Sequence, residues 1–115
     1  MSGNSSDSVG GAFRVERWEC PEQPEWSALE NVLGPEFPQI GRFMLFVGIS
    51  TCAENRRIIT YKHSLTRRSL HIDGQGRFYR HAMDTVGIFY VEIEPEAALR
   101  HCLPDSVRGS SDDAQ

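Results

Sequence analysis

The sequence predicts an α+β domain: a mostly antiparallel sheet of about six strands, in the order β-α-β-β-β-β-β-α, with two short helices packed on it. Three observations carry this expectation. Six segments of strand length are either apolar on both faces or alternate apolar with polar residues. The links between consecutive strands are too short for the crossovers that parallel pairing requires. Only two segments carry the start and stop signals of helices. Helices on one side of an antiparallel sheet make an α+β sandwich, and a barrel-like curl of the same strands is the alternative.

Each element has its own local reason. Residues 12–20, AFRVERWEC, set Phe13, Val15 and Trp18 among charged residues, a first strand with one wet face that Pro21 ends. Residues 24–33, PEWSALENVL, place Trp26, Leu29 and Leu33 at i, i+3 and i+7. This helix opens on Pro and Glu and stops at Gly34-Pro35. Residues 34–41 form a Pro-rich connection. Residues 42–51, RFMLFVGIST, are apolar on both faces, as a strand covered on both sides would be. A turn at 52–55 leads into the strand 56–63, where Ile59 and Tyr61 share one face and Ile58, Thr60 and Lys62 the other. Residues 67–73 and 77–81 flank DGQG, a hairpin signal in which Gly supplies positive φ. Leu70, Ile72 and Phe78 are its core candidates. Residues 85–93, TVGIFYVEI, make a last strand apolar on both faces. Glu94-Pro95-Glu96 then starts a helix that runs to Leu103, with acids at its positive end. The second face of the central strands needs a cover, from sheet curvature or from a partner subunit.

Length and composition set bounds. A chain of 115 residues is one domain. Its expected folded part is 12–103, between two polar tails, 1–11 and 104–115, that bury too little to order. No apolar run approaches the roughly 20 residues of a membrane span. The first residues, MSGNSSDSVGG, lack the charged and apolar regions of a secretion signal, so a cytoplasmic location is expected. Cys20, Cys52 and Cys102 are too few and too dispersed for a disulfide framework or a zinc element, and read as buried reduced thiols. No metal and no cofactor is expected.

Charge is unevenly placed, and residues 56–81 are expected to form one basic hairpin face that contacts an acidic partner or a small anion. Residues 56–81 hold seven of the twelve Lys and Arg and three of the four His, against the single acid Asp73. The remainder carries five basic and fifteen acidic residues. With eleven Arg to one Lys, any basic site works through planar guanidinium groups. The segment 61–68, YKHSLTRR, joins two strands, where sites concentrate. Lys62, His63, Ser64, Thr66, Arg67 and Arg68 are therefore candidates for binding a phosphate, a carboxylate or an acidic protein surface. Charge reversal at Arg67 and Arg68 should weaken such a contact while leaving stability within about 1 kcal/mol.

Other readings follow from the same residues. His63, His71 and His81 sit on neighbouring strands. His63 or His81 acting as base, with Arg67 and Arg68 on the phosphate, would make a metal-independent ribonuclease or phosphodiesterase. Zinc is disfavoured, because no ligand pair has compact spacing. Tyr61, Phe78 and Tyr79 interleave with basic residues as in single-strand platforms, but a net charge of −4 opposes nucleic-acid binding. Glu16, Glu19, Glu22, Glu25 and Glu30 form an acidic run suited to a basic partner. In size and charge the chain resembles bacterial immunity or antitoxin-type proteins, which implies an acidic inhibitor of a basic protein. Opposed faces also permit a homodimer. There is no dinucleotide fingerprint, no nucleophile elbow and no zinc-protease motif. The expectation is a soluble binding protein rather than an enzyme, contacting a protein or a small anion and no membrane.

Overall fold

The computed structural model describes residues 12–104, so the expected disordered tails, Pro104 excepted, lie outside the described residues. Six strands follow one another around a closed antiparallel barrel: β1 (Ala12–Glu19), β2 (Met44–Cys52), β3 (Arg56–His63), β4 (Ser69–Asp73), β5 (Phe78–Met83) and β6 (Ile88–Ile93). β6 returns to pair with β1 through Ala12↔Val91 and Arg14↔Phe89. The domain is thus the expected α+β arrangement of six antiparallel strands with helices, and the sheet takes the curled form. Closure removes the edge strands and gives the doubly apolar segments their second cover within one chain.

Helix α1 (Ser27–Leu33) and helix α3 (Pro95–Cys102) fall where periodicity placed them. The connection between α1 and β2 is more regular than its prolines suggested. It coils through a 3-10 turn at Gly34–Glu36, a four-residue helix α2 (Phe37–Ile40) and a second 3-10 turn at Gly41–Phe43. Pro35 and Pro38 stand among the first residues of their turns, where the missing N–H would have no partner.

Two cores result from the alternation along each strand. On the outer face Ile59, Tyr61, Leu70, Ile72 and Phe78 are buried beneath Leu29, Leu33, Ile40, Ala98 and Cys102. The three core candidates of the hairpin all belong to this layer. Inside the barrel Cys52, Ile58, Tyr79 and Tyr90 pack with Phe13 and Val15. The inner layer is small and rich in polar atoms, because Ser50, Thr60, His71 and Asp73 share its strand faces and are also buried.

An up-and-down barrel puts alternate turns at opposite ends. The turns at 53–55 and 74–77 mark a lower end, and those at 64–68 and 84–87 an upper end. The lower end is plugged. Tyr79 OH donates to Asp73 Oδ2 at 2.7 Å and accepts from Arg56 Nη1 at 3.2 Å, and Arg56 lies 3.6 Å from the same carboxylate. The Arg56 guanidinium also stacks 4.0 Å over the Phe13 ring. Asp73 further accepts the Gln75 and Arg77 amides, which fixes the DGQG turn, and Gly76 adopts the expected positive φ of 86°.

Gly48 has a packing role at a bulge in the β2–β3 ladder. A Cβ there would lie 2.6 Å from Cη2 of Trp18 and 2.9 Å from the Glu19 carbonyl oxygen. Glycine lets β1 and its indole approach this closely. Of the three free thiols, Cys52 and Cys102 are buried as expected. Cys20 is exposed, with Sγ 3.3 Å from the Val47 carbonyl oxygen. Among the described residues no helix is long and apolar enough to cross a membrane.

Candidate functional site

The β4–β5 seam is the weak point of the barrel wall. Only His71↔Tyr79 and Ile72↔Phe78 pair across it, whereas β5 and β6 share six pairs. Above the seam Ser69 and Leu70 pair with β3 alone, and the upper half of β5 pairs with β6 alone. The two strands part, and a cavity of about 910 Å³ opens there. Its walls are β4 through Ser69, Leu70 and His71, and β5 through Tyr79, Arg80 and His81. Helix α3 adds Ala97, Ala98 and His101. Ser50 and Thr60 reach it from the barrel interior, while Trp18, Ile88 and Tyr90 complete the apolar side. Sites of about 300–1,000 Å³, mainly apolar with a few fixed polar groups, suit small molecules.

Three rings form the polar centre of this cavity. His71 stacks on His81 at a centroid distance of 6.0 Å, and both meet Tyr90, at 5.0 and 5.7 Å. Hydrogen bonds fix the orientation of two of them, Tyr90 and His71. Tyr90 OH shares a hydrogen bond with Ser50 Oγ at 3.1 Å, and Thr60 Oγ1 lies 2.8 Å from His71 Nδ1. The latter bond commits Nδ1 and leaves Nε2 as the ring nitrogen able to engage another group. Burial pushes the His71 imidazole down to about 4, and the nearby His81 and His101 act in the same direction. His71 is therefore neutral at pH 7.

The residues singled out from the sequence have other places. His63 is fully buried on the outer side of β3, stacked on Phe43 with centroids 5.9 Å apart. Its Nδ1 accepts the Leu65 and Thr66 amides at 3.1 and 3.4 Å, so it organises the β3–β4 turn, and burial lowers its pKa. Ser64 donates its amide to the Phe43 carbonyl at 2.7 Å. Thr66 donates its hydroxyl to the Cys102 carbonyl at 2.7 Å, and Arg68 Nη1 donates to the His101 carbonyl at 3.2 Å. These two oxygens belong to the last turn of α3, where helix carbonyls lack intrahelical partners. Arg67 is exposed at φ 65°, and Lys62 is half-buried.

The basic block is consequently divided. Arg56, Arg57 and Arg77 lie toward the lower end, with Arg56 on Asp73 and Arg57 on Glu25 at 3.2 Å. Lys62, Arg67 and Arg68 lie at the upper end. The structure does not bring His63 to His81, because β4 separates their strands and they face different layers. It brings His71 to His81. Ser50, Thr60, Tyr90 and Ala97 were not recognised as site residues from the sequence. The signal was present: hydroxyl and imidazole groups recur at inward positions of successive strands, Ser50 on β2, Thr60 on β3 and His71 on β4. Comparison of the chain with protein-family models, with curated proteins and with solved structures found no match.

Proposed function

We propose that this protein is a binding barrel for a small amphipathic molecule, taken up in the cavity between β4 and β5. The observation that supports the reading is the parted seam itself. The barrel ladder is interrupted where an apolar cavity lies behind it, with the rings of His71, His81 and Tyr90 at its centre. A planar body would lie against Tyr90 and His81, since aromatic rings favour offset or edge contacts with one another. His71 Nε2 and the Ser50–Tyr90 hydroxyl pair would fix its orientation. Recognition is placed in the cavity rather than on the 64–68 turn because Thr66 and Arg68 are already engaged by the end of α3.

The test uses N-phenyl-1-naphthylamine, a neutral apolar dye, and the variant Ala97→Trp. Ala97 is exposed on α3 and lines the mouth, so the larger ring obstructs entry while leaving both cores intact. The wild type should bind one dye saturably, and Ala97→Trp should bind at least about tenfold more weakly, a change of about 1.4 kcal/mol. Equal affinity in the two proteins, or no saturable binding by the wild type, would remove the proposal.

A further inference from the structure

From the charges around the cavity we infer that its ligand is an organic anion: an apolar body carrying a carboxylate, sulfonate or phosphate group that sits at the mouth beside Arg80 and His101. The inference rests on the ligand-binding reading above and adds the charge of what is bound.

Besides the neutral His71, three lining residues are basic, namely Arg80, His81 and His101, and none of the described lining residues is acidic. Glu92, the partner of Tyr79 in the β5–β6 ladder, is not among them. That composition runs against the chain as a whole, which carries sixteen acids to twelve Lys and Arg. Four arginines elsewhere are paired with acids: Arg14 meets Asp84, Arg56 meets Asp73, Arg57 meets Glu25 and Arg100 meets Glu96. Arg80 is exposed and has no side-chain partner among the described residues.

Position matters as much as sign. Arg80 stands on the part of β5 that has left β4, and His101 faces the same mouth from the last turn of α3. The deep end of the cavity is closed by neutral groups, Ser50, Thr60 and Tyr90. An anionic group therefore stays at the solvent edge, where it keeps part of its hydration, while the apolar body enters. This arrangement avoids the cost of burying an unpaired charge. Guanidinium suits such a group because its planar donors match two oxygens at once. A neutral or cationic ligand of the same shape would leave Arg80 without a partner or repel it.

A matched pair of dyes tests this. 1-Anilinonaphthalene-8-sulfonate has the ring skeleton of N-phenyl-1-naphthylamine plus one sulfonate. The wild type at low salt should bind the sulfonate at least about tenfold more tightly, with one site, and the preference should shrink as ionic strength rises. In Arg80→Gln/His101→Gln the ratio of the two affinities should fall to about one. A wild-type ratio at or below one, with the neutral dye bound, overturns the charge assignment and leaves the ligand-binding reading standing. So does a ratio that the double variant retains. Failure of both dyes to bind overturns the two together.

Discussion

His71 is the residue whose environment most constrains its chemistry. It is buried, Thr60 holds its Nδ1, and two further imidazoles stand close enough to oppose its protonation. Its folded pKa of about 4 lies below the usual 6.5. Below pH 6.5 the unfolded chain takes up a proton that the folded chain refuses until about pH 4. The unfolded state then binds more protons, and stability falls as pH drops through that window. At 1.36 kcal/mol per unit, the full effect is about 3 kcal/mol. Unfolding free energies from urea titrations at pH 7 and pH 4.5 should differ by at least about 2 kcal/mol less in His71→Gln than in the wild type. An identical acid loss in both proteins would mean that His71 is not the group responsible. His63 shows the limit of reading single residues from sequence. A histidine between a lysine and a serine in a basic turn invites a chemical role. Only the fold reveals Phe43 beneath it and two amides directed at its Nδ1.

Helix α3 depends on the β3–β4 turn for the end of its hydrogen-bond register. The His101 and Cys102 carbonyls are met by Arg68 and Thr66, and Cys102 Sγ lies 3.5 Å from the Arg68 carbonyl oxygen. Because α3 forms one wall of the cavity, that turn sets the position of Ala97, Ala98 and His101. Thr66→Ala should cost about 2 kcal/mol, the worth of two hydrogen bonds, since its hydroxyl also accepts the Arg68 amide at 3.2 Å. Amide exchange should accelerate over residues 99–103 and stay unchanged in β2 and β3. Uniform acceleration across all strands would instead indicate a general loss of stability and no local anchoring. The elements themselves were legible from spacing. The range 56–63 coincides with β3, and the last helix was placed to within a residue at each end, because alternation and an opening proline are local signals. The Pro-rich link at 34–41 is a connection, as read from the chain, and the helical turns within it have an equally local reason. Proline is compatible with the start of a helical turn, and two such turns occur in succession. The partner of Thr66 lies 36 residues away, a distance that no local pattern spans.

The barrel as a whole combines a sealed lower end with a parted upper seam, and both derive from what its inward positions carry. Arg56, Asp73 and Tyr79 lock the lower end into a buried network, and this draws β4 and β5 together at His71↔Tyr79. Above that pair the wall separates, with Arg80 on its rim. Class and strand number could be argued from the chain, whereas closure could not, since short antiparallel links fit an open sheet equally well. The basic face expected over residues 56–81 is divided by the antiparallel pairing itself. In a barrel its strands alternate direction, so charges close in sequence are carried to opposite ends. The most direct test of ligand binding at the seam is amide chemical-shift mapping with N-phenyl-1-naphthylamine in slow addition. Perturbations should concentrate at Leu70–His71, Tyr79–His81 and Ala97–His101, with the Tyr90 amide following. Shifts confined to the 64–68 turn or to the lower end, with these residues unmoved, would contradict it.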